Sequence, residues 1–204
     1  MDAGVKRGAC PASKLVGCVN IVANMDTLDS ARGAMSEDTA RRLLVDQVTM
    51  VSSAFSEDTD FTLSTYNSEG DPHGIEASLI SALSAERPIK ALSVFMGEGW
   101  MFKGDGHQPT DIIQAAANVV GAKYLALDFN CPDADQEYPP ASTYVHVDGT
   151  QFRSAGEVET LLLSNVCGDL SSFCKVKRLR FCSGYYEFFS TESVRCDPGW
   201  SFFQ

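Results

Sequence analysis

Acidic side chains are grouped at one place in the chain where they could bind a metal ion. Asp128, Asp133, Asp135 and Glu137 come at or after the end of an apolar run with the composition of a buried strand. Carboxylates beyond the carboxyl end of a parallel strand can hold Mg²⁺ or Ca²⁺. The spacing does not match an EF-hand loop, and Pro132 interrupts the group. We therefore interpret these residues as a solvated acidic loop.

Four glycines occupy a segment between another apolar run and a helix-like stretch. They are Gly97, Gly99, Gly104 and Gly106. Glycine between a strand and a helix N-terminus is typical of a phosphate-binding loop. The spacing matches neither standard phosphate-binding motif, and Trp100 interrupts the group. We therefore predict a connecting loop without bound phosphate.

Cysteine and histidine side chains could form a nucleophilic pair. Histidine occurs at His73, His107 and His146. The seven cysteines include no CxxC pair and no zinc-ligand spacing, which favours free buried thiols over disulfides or metal sites. No sequence feature activates a particular cysteine, and no G-x-S-x-G motif is present. We predict no catalytic residue, no metal and no cofactor.

Aromatic residues in loops are the strongest candidates for a binding site. Trp100 and Phe102 lie in the glycine-rich loop, and Tyr185 and Tyr186 follow the last strand-like segment. Exposed aromatic side chains often anchor protein interfaces. We predict that these four residues contact a partner protein. An alternative function for the two tyrosines, together with the aromatic tail 190–204, is to cap the open end of a sheet.

One six-residue pattern recurs through the second half of the chain. It reads Φ-x-x-L-x-Φ, where Φ is apolar, and its copies are centred on Leu92, Leu125, Leu161 and Leu179. Amphipathic helical periodicity precedes the first two copies. A short strand that recurs roughly every 20–45 residues, with helical sequence between copies, indicates a stacked repeat.

The first half of the chain carries weaker signals of the same kind. Val16, Val19 and Ile21 fit the pattern, and Ser36 has the character of a helix N-cap before an amphipathic segment. Residues 61–65 alternate as a half-buried strand, and residues 144–147 predict an extra short strand.

Strands that alternate with helices predict an α/β fold with a parallel sheet, because helical crossovers join parallel strands. One arrangement is a short irregular solenoid with helices largely on one face. The alternative is a small doubly wound sheet, in which the loops after the strands at 92 and 125 would form a nucleotide- or metal-binding enzyme site. The recurring pattern favours the solenoid. The charged residue at the second position of each copy then points away from the core: Lys90, Lys123, Glu159 and Lys177.

Composition restricts the classes of partner. A net charge of −11 disfavours nucleic acid and anionic membrane surfaces, although it can attract a basic partner. No apolar stretch reaches the roughly 18 residues of a membrane-spanning helix. Residues 1–14 and the stretch after them make a poor secretory signal. We expect an intracellular location, cytoplasmic or nuclear.

The two clearest helix–strand units carry a family resemblance. PIKALSVF after IEASLISALSAER, and AKYLALDFNC after DIIQAAANVV, are similar to units of irregular leucine-rich-repeat (LRR) proteins. They resemble in particular the repeat half of fungal F-box proteins, most clearly over residues 75–189. The sequence shows no F-box-like segment ahead of the repeats. Only Asn130 and Asn165 are candidates for the asparagine ladder of standard repeats.

The resemblance implies one LRR-like α/β domain over residues 1–204, with 190–204 as a capping tail. It also implies a substrate-recognition role in an adaptor of the ubiquitin-ligase type. We therefore predict a non-catalytic scaffold whose partner is another protein. The alternative is the small nucleotide- or metal-binding α/β enzyme.

Overall fold

The computed structural model describes residues 17–24, 36–68, 70, 74–97, 109–130, 144–182 and 201–202. The helices in these ranges are α1 (Glu37–Ser53), α2 (Ile75–Glu86) and α3 (Thr110–Ala117). The strands are β1 (Cys18–Asn24), β2 (Asp60–Asn67), β3 (Ile89–Met96), β4 (Tyr124–Phe129), β5 (Val145–Asp148), β6 (Thr160–Ser164), β7 (Val166–Asp169), β8 (Arg178–Cys182) and β9 (Ser201–Phe202). None of the described helices has the length and apolar character needed to cross a membrane.

Seven of these strands form one sheet in the order β1-β2-β3-β4-β6-β8-β9. Every pairing in it is parallel, and the order follows the chain. Parallel neighbours need a crossover between them, and the three helices lie in the first three crossovers. The predicted α/β class and parallel sheet are confirmed.

The leucines of the recurring pattern form one row across the sheet. Leu92 is in register with Leu125, Leu125 with Leu161, and Leu161 with Leu179. None of the four is more than 4% exposed. Leu63 of β2 extends the row on the other side of Leu92. The apolar side chains therefore stack from strand to strand and form the centre of the core.

The three helices pack against the face of the sheet that carries this leucine row. α1 contacts α2, and α2 contacts α3, so the helices are neighbours in chain order. Leu79 and Leu83 of α2, together with Ala116 of α3, belong to the same buried cluster as the leucine row. Ser36 occupies the N-cap position of α1 as predicted, although its Oγ contacts Thr39 Oγ1 (2.9 Å) and caps no backbone amide.

A second, two-stranded parallel sheet of β5 and β7 lies beside the last helix. The predicted strand near residues 144–147 is confirmed as β5, whereas the sequence did not predict β7. Asn165 joins β6 directly to β7 with φ of 55°, a left-handed conformation that asparagine tolerates. Val145 and Val166 are both buried, so the small sheet covers the main sheet where no helix is available.

Candidate binding surface

The four aromatic residues predicted to contact a partner lie outside the described residues. They are Trp100, Phe102, Tyr185 and Tyr186. Most of the acidic and glycine-rich loops also lie outside them. Two members of these loops, Asp128 and Gly97, are described.

Gly97 has a packing role at the end of β3. Its amide donates to the Asn67 carbonyl at 2.6 Å, and a Cβ at this position would lie 1.5 Å from the Ser68 carbonyl oxygen. Only glycine allows the two backbone segments to approach this closely. The close approach explains this glycine without a phosphate ligand.

The sheet face opposite the helices is a candidate binding surface, and we name it the open face. Side chains in β2, β3 and β6 alternate between buried residues and half-buried or exposed residues, because successive strand residues point to opposite sides. The open face comprises three rows of residues in register: Thr62, Ala91, Tyr124, Thr160 and Arg178; Ser64, Ser93, Ala126, Leu162 and Arg180; and Tyr66, Phe95, Asp128 and Ser164. All of them are half-buried or exposed except Ala126, which is 8% exposed.

An aromatic pair lies over β2 and β3 on the open face. The rings of Tyr66 and Phe95 stack with centroids 4.6 Å apart and an angle of 8° between planes. The two residues are register partners on adjacent strands, whose spacing of about 4.8 Å allows the rings to lie parallel. Tyr66 is 41% exposed, so this pair presents aromatic surface to solvent.

A shallow depression of about 350 Å³ runs across the open face beside this pair. Tyr66 and Phe95 line one end, Asp128 and Leu162 lie in the middle, and Arg180 lines the other end. Its wall thus combines aromatic, aliphatic and charged groups. This mixture is typical of surfaces that bind other proteins.

Charges are distributed unevenly between the open face and the amino-terminal edge of the sheet. At that edge Lys177 Nζ binds Glu159 at 2.9 Å, and Lys90 binds Asp60. The hydrogen bond from Lys177 lowers the pKa of Glu159, and the hydrogen bond to Asp60 raises the pKa of Lys90. The predicted outward orientation of the second position in each copy is confirmed, since Lys90, Lys123 and Lys177 are exposed and the Glu159 side chain is 42% exposed.

The two arginines of the open face differ from these paired cations. Arg178 and Arg180 flank the buried Leu179 and are both exposed. Within the described part of the chain, no side-chain hydrogen bond or ion pair joins either guanidinium to another residue. An unpaired guanidinium offers a planar set of donors that matches a carboxylate.

One histidine and one cysteine meet in the small sheet. Cys167 Sγ lies 3.3 Å from His146 Nδ1, because β5 and β7 place these residues in register. Cys167 is only 7% exposed, and burial raises the pKa of its thiol. A nucleophilic cysteine needs the opposite shift. Burial of Cys167 therefore acts against formation of the reactive thiolate.

The other described thiols correct the expectation of burial. Cys18 and Cys174 are free, as predicted, but both are exposed. Cys18 lies on β1 at the edge of the sheet, and Cys174 lies in the turns before β8, so neither is covered by the helices. The expectation of a buried thiol holds for Cys167.

A second cavity, of about 360 Å³, lies between α3 and β5. His146 and Asp148 line it, but the Asp148 carboxylate accepts hydrogen bonds from Thr150 N (2.9 Å) and Thr150 Oγ1 (2.6 Å). These bonds lower the pKa of Asp148. Its oxygens thus stabilise the local turn. The described residues contain no group of three or more histidine, cysteine or acidic side chains placed to hold a metal ion.

The recurring sequence pattern does not predict the open-face residues, because the pattern is defined by its apolar positions. Phe95, Tyr124, Arg178 and Arg180 occupy variable positions within or directly after the copies. Period-two alternation around each buried leucine could have identified them as residues of one shared face.

Comparison of the chain with protein-family models, curated proteins and solved structures found no match.

Proposed function

We propose that this chain is a short LRR-like solenoid that binds another protein through its open face. The observation that carries the proposal is the strand order, which follows the chain across all seven strands of the main sheet. Each helix–strand unit then contacts mainly its neighbours, as in repeat proteins. Scaffolds of this kind usually use their exposed strand face to bind partners.

The side chains of the open face support protein binding. The stacked Tyr66 and Phe95 supply rigid aromatic surface, which contributes strongly to protein interfaces. Hydroxyl groups of Ser64 and Ser93 lie in the adjacent row of the same face and can donate or accept hydrogen bonds. The resulting surface is mixed in polarity and half-buried, which suits a partner that covers it on binding.

The strand order also argues against the doubly wound alternative. Ligands of doubly wound sheets bind in a crevice where the strand order reverses. The described strands of the main sheet contain no such reversal. The substrate-recognition role in a ubiquitin-ligase adaptor follows from the family resemblance and stays a prediction.

Site-specific photocrosslinking would test the open face as the partner site. A benzophenone amino acid at Ser93, which lines the depression, should crosslink to a partner protein in cells. The matched control carries the same group at Gln47, an exposed residue of α1. Crosslinks to the same protein from both positions, or only from position 47, would contradict the proposal.

Substitution of the aromatic pair provides a second measurement. Tyr66→Ser combined with Phe95→Ser should weaken binding of the crosslinked partner, while circular dichroism reports an intact fold. Unchanged affinity would exclude the aromatic pair from the interface. A thermal-shift screen with nucleotides and divalent metals tests the enzyme alternative, because a ligand that binds only the folded state raises the melting temperature.

A further inference from the structure

We infer that the partner segment is an acidic peptide with an aromatic anchor, which lies across the strands of the open face. This inference rests on the proposed function and adds the chemistry and direction of the bound segment. The carboxylates of the segment contact Arg178 and Arg180 on β8. Its aromatic side chain packs on the Tyr66 and Phe95 rings over β2 and β3.

The two arginines determine the acidic end of the segment. The chain as a whole carries a net charge of −11, so two adjacent cations that pair with no other described residue depart from its general character. Lys90 and Lys177 are already neutralised by Asp60 and Glu159. Arg178 and Arg180 have the same orientation on β8, and each guanidinium can bind a carboxylate of the segment where the segment crosses this strand.

Asp128 determines the direction of the segment. It is in the same register row as Tyr66 and Phe95, and it lines the same depression as Arg180. Its carboxylate would repel an acidic side chain placed near the aromatic pair. The acidic end must therefore lie over β8, and the aromatic end over β2 and β3.

Sheet geometry sets the spacing between the two anchors. Phe95 and Arg180 are separated by three strand-to-strand steps and two positions along the strand. At about 4.8 Å per step and 3.3 Å per residue this is roughly 16 Å, which an extended peptide spans with about five residues. The preferred segment thus has an aromatic residue and, about five residues away from it, a pair of acidic residues.

Fluorescence anisotropy with designed peptides tests the inference on the full chain. The probe is fluorescein-labelled Phe-Ser-Gly-Ser-Ser-Glu-Ser-Glu, compared with a twin in which both Glu are Lys and a twin in which Phe is Ala. We expect the acidic probe to bind about tenfold more tightly than the Lys twin. The Ala twin should also bind more weakly than the probe.

Charge reversal of the two arginines is the decisive variant. Arg178→Glu with Arg180→Glu should reverse the preference, so that the Lys twin binds more tightly. Arg41→Glu with Arg42→Glu, on α1, makes the same change in net charge on the helix side and should leave the preference intact. Melting curves of both variants check that the fold is retained.

Three results would overturn the inference. They are no binding of the acidic probe up to about 1 mM, a preference that the Arg178/Arg180 variant leaves unchanged, and tighter binding of a thymidine decanucleotide than of the peptide. The proposed function is judged separately from these results. A partner that still crosslinks at Ser93 in the Arg178/Arg180 variant supports open-face binding but contradicts the acidic segment. Equal crosslinking of the partner from positions 93 and 47 contradicts the proposed function itself.

Discussion

The side-chain amide of Asn165 donates a 2.6 Å hydrogen bond to the backbone carbonyl of Phe129. Asn165 is 6% exposed, and its backbone has φ of 55° at the point where β6 turns into β7. The bond joins two neighbouring strand ends of the main sheet, much as an asparagine ladder joins successive units of a repeat protein. Of the two candidates identified in the sequence, Asn165 is buried and Asn130 is exposed.

Replacement of Asn165 should lower the free energy of unfolding. Asn165→Gly loses the hydrogen bond but keeps the left-handed backbone, so we expect a loss of about 1–2 kcal/mol. Asn165→Ala should lose about 1 kcal/mol more, because alanine disfavours positive φ. Urea denaturation measures both. Asn118→Ala, at the exposed end of α3 with ordinary φ, should change stability by less than about 0.5 kcal/mol. Equal losses of stability for Asn118→Ala and Asn165→Ala would contradict a stabilising role for the Asn165 hydrogen bond.

The leucine row should account for a large part of the stability. Leu125 is 3% exposed in the middle of the row, and Leu125→Ala should cost about 2–5 kcal/mol through lost burial and a residual cavity. Leu43, on α1, is 49% exposed, and Leu43→Ala should cost less than about 1 kcal/mol. Thermal or chemical unfolding compares the two variants. Similar losses would mean that the row is not the centre of the core.

Gly168 should be intolerant of any side chain. Its φ is 132°, and a Cβ would lie 2.0 Å from the Val147 carbonyl oxygen across the β5–β7 pairing. Gly168→Ala should therefore destabilise the protein by about 3 kcal/mol or more. Gly156→Ala is the matched control, because nothing lies within 4 Å of its Cβ position. A mild effect at position 168 would exclude the close approach of β5 and β7.

Acid should weaken the protein partly through the Glu159–Lys177 pair. The hydrogen bond from Lys177 lowers the pKa of Glu159 in the folded state. The contribution of the pair is therefore fully present above the unfolded pKa of about 4.3 and is lost as pH falls through the lower folded value. As pH falls from about 7 to about 3, the free energy of unfolding should decrease less for the Glu159→Gln variant than for the native protein. Lys177→Gln should show the same reduced pH dependence, and full pH dependence in both variants would contradict this assignment.

Thiol reactivity should distinguish Cys167 from the exposed cysteines. Burial raises the pKa of Cys167, so its reactive thiolate is scarce at neutral pH and the native fold shields it. Maleimide labelling read by peptide mass spectrometry should modify Cys18 and Cys174 first, and Cys167 only slowly or after unfolding. Rapid, selective labelling of Cys167 in the native protein would restore a catalytic interpretation of its contact with His146.

The sequence by itself determined the class of the fold and the centre of its core. The recurring six-residue pattern centred on Leu92, Leu125, Leu161 and Leu179 predicts strands whose leucines face inward, and the parallel register aligns all four. The sequence predicts β2 as a strand but not as a copy of the six-residue pattern. Asp60 and Thr65 stand at the two positions of that pattern where an apolar residue is required. Leu63 still joins the row, since the pairing with β3 shifts register between Phe61 and Thr62.

Only the tertiary structure decided which residues share a surface. Tyr66 and Phe95 stack because their strands are adjacent, and Arg180 lines the same depression from two strands beyond β4. These contacts join residues that are separated by whole helices or loops, and local sequence preferences contain no information about such distant pairings. The same holds for Asn165 and Phe129, whose hydrogen bond depends on how two strand ends align after a long crossover.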